Sequence, residues 1–113
     1  MELALYPDEM LVKQGGANLQ RGVEAVGGKL FLTDRRLVFQ SHGMNIQNGG
    51  VDVPLTDVTG LAKAWTRVFG AIPLAPNSIV VHTAASVDFS FVVMGGRGNW
   101  ISAIETCLPT ASA

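Results

Sequence analysis

Four basic residues lie in or just before a predicted β-hairpin, and basic side chains are the type that binds anions. Lys29, Arg35 and Arg36 belong to the segment GGKLFLTDRRLVFQSH (27–42), and Arg21 lies in the loop before it. A planar guanidinium can bind two phosphate oxygens at once, so the four residues are candidates for an anion or lipid-headgroup site. The alternative, which we favour, is a charged hairpin tip that only keeps the protein soluble. Alternation along a strand would direct Arg35 and Arg36 to opposite sides unless the turn re-aims one of them.

The apolar stretch WTRVFGAIPL (65–74) is a second candidate surface. Its candidate contact residues are Trp65, Arg67, Phe69, Ile72 and Leu74. Tryptophan and basic residues are favoured at a membrane interface, and the same residues would also suit a protein partner or a dimer contact. The alternative, with about equal weight, is that the stretch folds back into the core, because most apolar segments are buried.

The sequence contains no recognisable catalytic or metal-binding pattern. His42 and His82 have no histidine or cysteine at ligand spacing, and Cys107 has no histidine near it in the sequence. Residues 95–98 (GGRG) come between a predicted strand and a predicted helix, but they match no phosphate-binding loop motif. We therefore expect a non-enzymatic protein with no metal and no cofactor.

Length and composition indicate one small domain. The chain has 113 residues, of which 48% are hydrophobic and 15% charged, and its net charge is −1. This balance provides no chain-wide attraction to nucleic acid or to an anionic membrane. The single cysteine and the lack of a secretory signal or long apolar run favour a cytoplasmic protein. We expect one domain over residues 1–109 and a short tail over 110–113.

The glycines and prolines divide the chain into short segments rich in β-branched and aromatic residues, which favour strands. We predict strands at Glu9–Gln14 with Ala17–Gln20, Glu24–Thr33, Arg36–His42, Val51–Leu55, Asp57–Trp65, Ser78–Thr83 and Val87–Met94. Residues 97–108 instead place an apolar residue every three or four positions, which predicts a helix with one buried stripe.

Three local features refine this prediction. Gly15-Gly16 suits a bulge or bend within the first strand, and residues 75–78 (APNS) suit a turn. Phe31 and Val38 alternate with the other apolar residues of their strands, so both faces of the hairpin are apolar. The outer face would then be covered by the N-terminal segment, which we favour, or by another subunit.

About seven antiparallel strands and one closing helix describe a curled sheet, or barrel, that hides its edges. The segment from Gly28 to Phe39 (GKLFLTDRRLVF), the P-L-x-D of residues 54–57, Ile72-Pro73 and the final FSFVV and NWISAIE resemble the GRAM domain family over residues 10–105. The resemblance is to a small, stand-alone, bacterial-type member. It implies a mainly β, pleckstrin-homology-like barrel of two curled, near-orthogonal sheets capped by the C-terminal helix.

The resemblance also implies a function. GRAM domains contact lipids, including phosphoinositides, or protein partners, and nothing in the family implies catalysis. We therefore expect a binding or adaptor domain that contacts a protein partner or a lipid headgroup. A lipid contact would place the protein at the membrane periphery. We expect no affinity for nucleic acid. The competing hypothesis is a module that self-associates into a homo-oligomer and binds no lipid.

Overall fold

The computed structural model describes residues 3–21, 24–41, 50–68, 72–93 and 96–109; within strands, the side chains of residues 21, 24, 63–68 and 72–77 are outside this description. In these residues the chain forms seven strands, a short 3-10 helix and one α-helix. The strands are β1 Leu11–Arg21, β2 Glu24–Thr33, β3 Arg36–Ser41, β4 Val51–Pro54, β5 Val58–Val68, β6 Ile72–Thr83 and β7 Asp88–Val93. The 3-10 helix is Leu55–Asp57, and the α-helix, α1, is Arg97–Cys107.

All strand pairs are antiparallel, and they form one sheet in the order β4-β3-β2-β1-β7-β6-β5. The predicted mainly β class, strand number and C-terminal helix are therefore confirmed. The edge strands are β4 and β5, and the described residues show no pairing between them. The finer prediction of a barrel of two near-orthogonal sheets is consequently not confirmed.

The core forms because alternate residues of neighbouring strands point to the same side of the sheet. These core side chains include Leu30, Leu32, Leu37, Phe39, Phe91 and Val93. Helix α1 adds Trp100 and Ile104, so the predicted helical stripe does pack on the sheet. No helix among the described residues is both long and apolar enough to span a bilayer.

The predicted bulge at Gly15-Gly16 and the predicted turn at residues 75–78 are wrong. Gly15 and Gly16 pair in register with Leu30 and Lys29, and the irregularity in β1 lies instead between Leu11 and Lys13. Glycine tolerates a strand conformation, so a glycine pair does not by itself require a bend.

The predicted turn at residues 75–78 is part of β6. There, Ala64 and Thr66 of β5 pair with Ser78 and Ala75, so β6 carries an extra residue opposite β5. The extra residue makes this a bulge, where Pro76 is tolerated because its missing N–H is not needed for pairing.

The outer face of the β2–β3 hairpin is covered within the single chain. Phe31 is only 1% exposed and Val38 6%, although both lie on the face opposite the core residues of their strands. The segment of residues 3–10 is attached at this face by hydrogen bonds to Arg36 and Thr33. This agrees with the favoured prediction of an N-terminal cover, and it leaves no exposed apolar hairpin face for the predicted subunit contact.

Candidate functional site

The two adjacent arginines have different environments. Arg35 lies at the exposed hairpin tip, whereas Arg36 is 8% exposed. Arg36 donates from Nε to Glu9 Oε2 at 2.8 Å and from Nη2 to Glu9 Oε1 at 3.0 Å. It also donates from Nη1 to Asp52 Oδ2 and from Nη2 to the Ala4 carbonyl, each at 2.8 Å. The interpretation of Arg36 as an exposed tip charge is therefore wrong, because all three guanidinium nitrogens bind protein acceptors.

The hairpin turn positions this ion pair. The Thr33 hydroxyl accepts hydrogen bonds from the backbone N–H groups of Arg35 and Arg36 at 3.0 Å and donates to Glu9 Oε2 at 2.6 Å. Asp34 accepts from the backbone N–H of Met10 at 3.0 Å. Thr33 thus bonds the nearby backbone, while Asp34 holds the start of β1 against the tip.

Charge pairing changes the acid–base properties of both partners. Hydrogen bonding to Arg36 lowers the pKa of Glu9 to about 2, against the opposing effect of burial, and Thr33 and the Tyr6 backbone N–H assist. Hydrogen bonding to Glu9 likewise raises the pKa of Arg36 above its ordinary value. The guanidinium carbon also lies 4.2 Å from the centre of the Tyr6 ring. Arg36 is thus a structural residue at the centre of a network of charges.

The remaining anion candidates do not converge. Lys29 pairs with Gln40 near the end of the β2–β3 ladder farthest from the turn, and its Nζ lies 5.6 Å from the centre of the Phe31 ring. Arg35 is at the tip, about 15 Å farther along at the usual rise of a strand. The backbone of Arg21 pairs with Glu24 at the opposite end of β1, and the Arg21 side chain is outside the described residues. The backbone therefore spreads these cations along the sheet.

The predicted surface over residues 65–74 is mostly strand. Trp65 and Arg67 lie in β5, and Ile72 and Leu74 lie in β6, with Val68 paired to Ile72. Phe69 and the side chains of the other four predicted contact residues lie outside the described part of the chain. Their proposed contact with a membrane or a partner stays a prediction.

A different apolar surface lies beside the hairpin tip. It consists of Leu5, Tyr6, Met10, Leu11 and Val12, which are 38% to 68% exposed, and we call it the tip patch. The Asp34 backbone N–H donates to the Met10 carbonyl, and the Met10 N–H donates to the Asp34 carboxylate. Leu11 pairs with Thr33, so the patch flanks the tip. The charged network therefore fixes exposed apolar side chains beside Arg35.

Groups with catalytic potential are sparse in the described regions. His82 Nδ1 and Asp88 Oδ1 form an exposed pair at 2.9 Å. Burial raises the pKa of the Cys107 thiol, as does the charge of Asp34, which makes this cysteine a weaker nucleophile at neutral pH. No group of three potential metal ligands occurs among the described residues.

Comparison with known proteins identifies the family. The family model for the GRAM domain matches residues 1–113, the whole chain. The chain belongs to the GRAM domain family. No curated protein matches its sequence.

Solved structures show the same fold as this GRAM domain. The C-terminal domain of an unknown protein from Leishmania infantum has a TM-score of 0.74 at 19% identity, covering 89% of this chain and 85% of that one. The Vps36 N-terminal PH domain has a TM-score of 0.66 at 16% identity, covering 91% and 84%. The linker-DH/PH structure of p115-RhoGEF has a TM-score of 0.68 at 15% identity, covering 90% and 30%. These similarities confirm a pleckstrin-homology-like fold for the GRAM domain.

Sequence reasoning missed the tip patch and the partners of Arg36 in this GRAM domain. The sequence did contain a signal for the partners of Arg36. A hairpin that is apolar on both faces must be covered, and a cation on the covered face needs a carboxylate partner. Glu9 and Asp52 were among the acidic residues of the flanking segments. The tip patch gave no such signal, because its residues read as an ordinary apolar strand.

Proposed function

We propose that this GRAM domain is a non-enzymatic interaction module that binds a protein partner through the tip patch. GRAM and pleckstrin-homology-like domains commonly mediate lipid or protein binding. The observation that carries the choice is the exposure of five large apolar side chains beside a hairpin tip whose Arg36 is neutralised by Glu9 and Asp52. Several large apolar side chains exposed in one region are typical of interaction sites.

Electrostatics argue against a headgroup site on the same hairpin. A multiply charged phosphate group needs several cations directed at one point. Arg36 is bound to two carboxylates, and Lys29 and Arg35 lie far apart on the hairpin. Arg35 remains as a rim charge, which would contribute to orientation and association rate more than to affinity.

The experiment places a photo-crosslinking amino acid, p-benzoylphenylalanine, at Met10 and, as control, at the exposed Glu105 of α1, in cells that produce the protein. We expect a discrete adduct with a different protein from position 10 and none from position 105. Val12→Asp within the tip patch should abolish the adduct, because it places a charge in the apolar contact. Thr59→Asp, which adds the same charge at an exposed position of β5, should leave it unchanged.

Vesicle co-sedimentation and light scattering decide between the competing functions. We expect no binding to phosphatidylcholine vesicles, with or without phosphatidylserine, and the mass of one chain. Binding to anionic vesicles that Val12→Asp removes would assign the tip patch to a membrane and overturn the proposal. A doubled mass with crosslinks between two copies would assign the patch to self-association.

A further inference from the structure

A concave surface separate from the tip patch lies between the 3-10 helix and the β6–β7 turn, and we call it the seam pocket. Its volume is about 210 Å³. Its apolar wall is formed by Val53, Pro54, Ala85, Val87 and Phe89. Val87 is 47% exposed, which is high for a large apolar side chain in a concave surface. The pocket therefore offers uncovered apolar area inside a recess.

Backbone hydrogen bonds hold the walls of the pocket in place. The Ala84 N–H donates to the Asp57 carbonyl at 2.8 Å, which joins the turn to the 3-10 helix. Within the turn, the Thr83 hydroxyl donates to the Val87 carbonyl at 2.6 Å, and the Ser86 N–H donates to the Thr83 carbonyl at 3.0 Å. A pocket fixed in this way loses little conformational entropy when a ligand binds.

The charges around the pocket are mainly negative. Asp52 and Asp57 line it, and no lysine or arginine does so among the described residues. Asp52 shares Arg36 with Glu9, so these three groups together carry one negative charge. Asp57 has no ion-pair partner in the described part of the chain.

Size and charge together specify the ligand. A volume near 210 Å³ is below the roughly 300–1,000 Å³ typical of small-molecule sites, and it suits a single apolar side chain. We propose that the seam pocket binds one apolar side chain of a peptide segment whose flanking residues are lysine or arginine. The apolar side chain covers Val87 and Phe89, and the flanking cations lie near Asp52 and Asp57. This site is separate from the tip patch, and the inference holds whether or not that patch binds a partner.

The test is an NMR titration of the full-length, ¹⁵N-labelled protein with three end-capped peptides: Gly-Lys-Leu-Lys-Gly, Gly-Glu-Leu-Glu-Gly and Gly-Lys-Ala-Lys-Gly. We expect the Lys-Leu-Lys peptide to shift the backbone amides of Asp57 and of Thr83 to Val87, and to bind at least about five-fold tighter than the other two. The tip-patch amides should not shift.

Two variants link the binding to the pocket. Asp57→Asn should weaken binding of the Lys-Leu-Lys peptide about three-fold, because it removes one solvent-exposed charge–charge attraction. Glu105→Gln makes the same change of charge on α1 and should have no effect. Ala85→Leu should remove binding by filling the recess, with an otherwise native spectrum as evidence of folding.

Three outcomes would overturn the proposal. They are equal or tighter binding of the Glu-Leu-Glu peptide, shifts confined to other surfaces, and no shift of the pocket amides at millimolar peptide. Because the peptides probe only the seam pocket, such a failure would leave the tip-patch crosslink to be judged on its own result.

Discussion

The guanidinium of Arg36 binds both carboxylate oxygens of Glu9, at 2.8 Å and 3.0 Å, and so joins the segment before β1 to the start of β3. This pair accounts for the position of the N-terminal cover and, through it, of the tip patch. An arginine fork matches a carboxylate in this geometry in a way that a lysine cannot. Substitution of either residue of this pair should therefore lower the stability of the fold more than substitution of the residues next to it.

Arg36→Ala should lower the free energy of unfolding by about 3–5 kcal/mol, because it leaves the buried carboxylate of Glu9 without its partner. Arg35→Ala, one residue away and exposed, should change it by less than about 0.5 kcal/mol. Urea denaturation followed by circular dichroism measures both. Similar losses for the two variants would contradict the structural role assigned to Arg36.

Acid should destabilise the protein through Glu9. The pKa of Glu9 is about 2 in the folded protein and about 4.5 when unpaired, so the unfolded state binds the proton first as the pH falls. The stabilisation, of order 3 kcal/mol, is present above pH 4.5 and is lost progressively as the pH falls to 2. Urea denaturation across this range should show a flatter pH profile for Glu9→Gln than for the wild type. Parallel profiles would show that other groups control acid unfolding.

Gly28 and Gly98 should respond in opposite ways to alanine. A Cβ at Gly28 would lie 2.7 Å from Phe39 Cζ and 2.8 Å from the Ser41 backbone, so the strands must move apart. We expect Gly28→Ala to cost about 3 kcal/mol, whereas Gly98→Ala, in open space near the start of α1, should stabilise by up to about 1 kcal/mol. Thermal unfolding of both variants checks this, and a neutral Gly28→Ala would refute the close approach.

The face of the Tyr6 ring should contribute to the stability of the folded protein. Tyr6→Ala should lower the free energy of unfolding by about 0.5–1 kcal/mol, because the ring lies over the Arg36 guanidinium. Tyr6→Phe retains the face and should unfold like the wild type in the same urea experiment. A loss in Tyr6→Phe equal to that in Tyr6→Ala would attribute the effect to the hydroxyl instead.

Local sequence signals predicted most of the secondary structure. The bounds of β2 match the prediction, and β3, β7 and α1 differ from it by one residue at one or both ends. These elements were predicted well because hydrophobic periodicity and turn residues are signals that span only a few neighbouring positions. The errors at Gly15-Gly16 and at residues 75–78 arose where glycine and proline were read as interruptions, although strand pairing accommodated them.

The candidate site was harder to predict because its partners are distant in sequence. Glu9 and Asp52 come from the segments before β1 and within β4, and no local pattern joins them to Arg36. Alternation indicated that Arg35 and Arg36 would face opposite sides, and the structure gives them different environments, with Arg35 exposed in the turn and Arg36 buried. The walls of the seam pocket come from β4, the 3-10 helix and the β6–β7 region, and only tertiary folding brings these together.

The position of β1 between β2 and β7 has a consequence during synthesis. Leu19 pairs with Phe91, so the β7 side of β1 gains its partner only after about 70 further residues, through β7, have left the ribosome. Until then β1 presents unpaired backbone groups and the apolar Ala17 and Leu19, the surface on which nascent chains associate. A chain truncated before Asp88 would retain this open edge, and aggregation would be its expected fate.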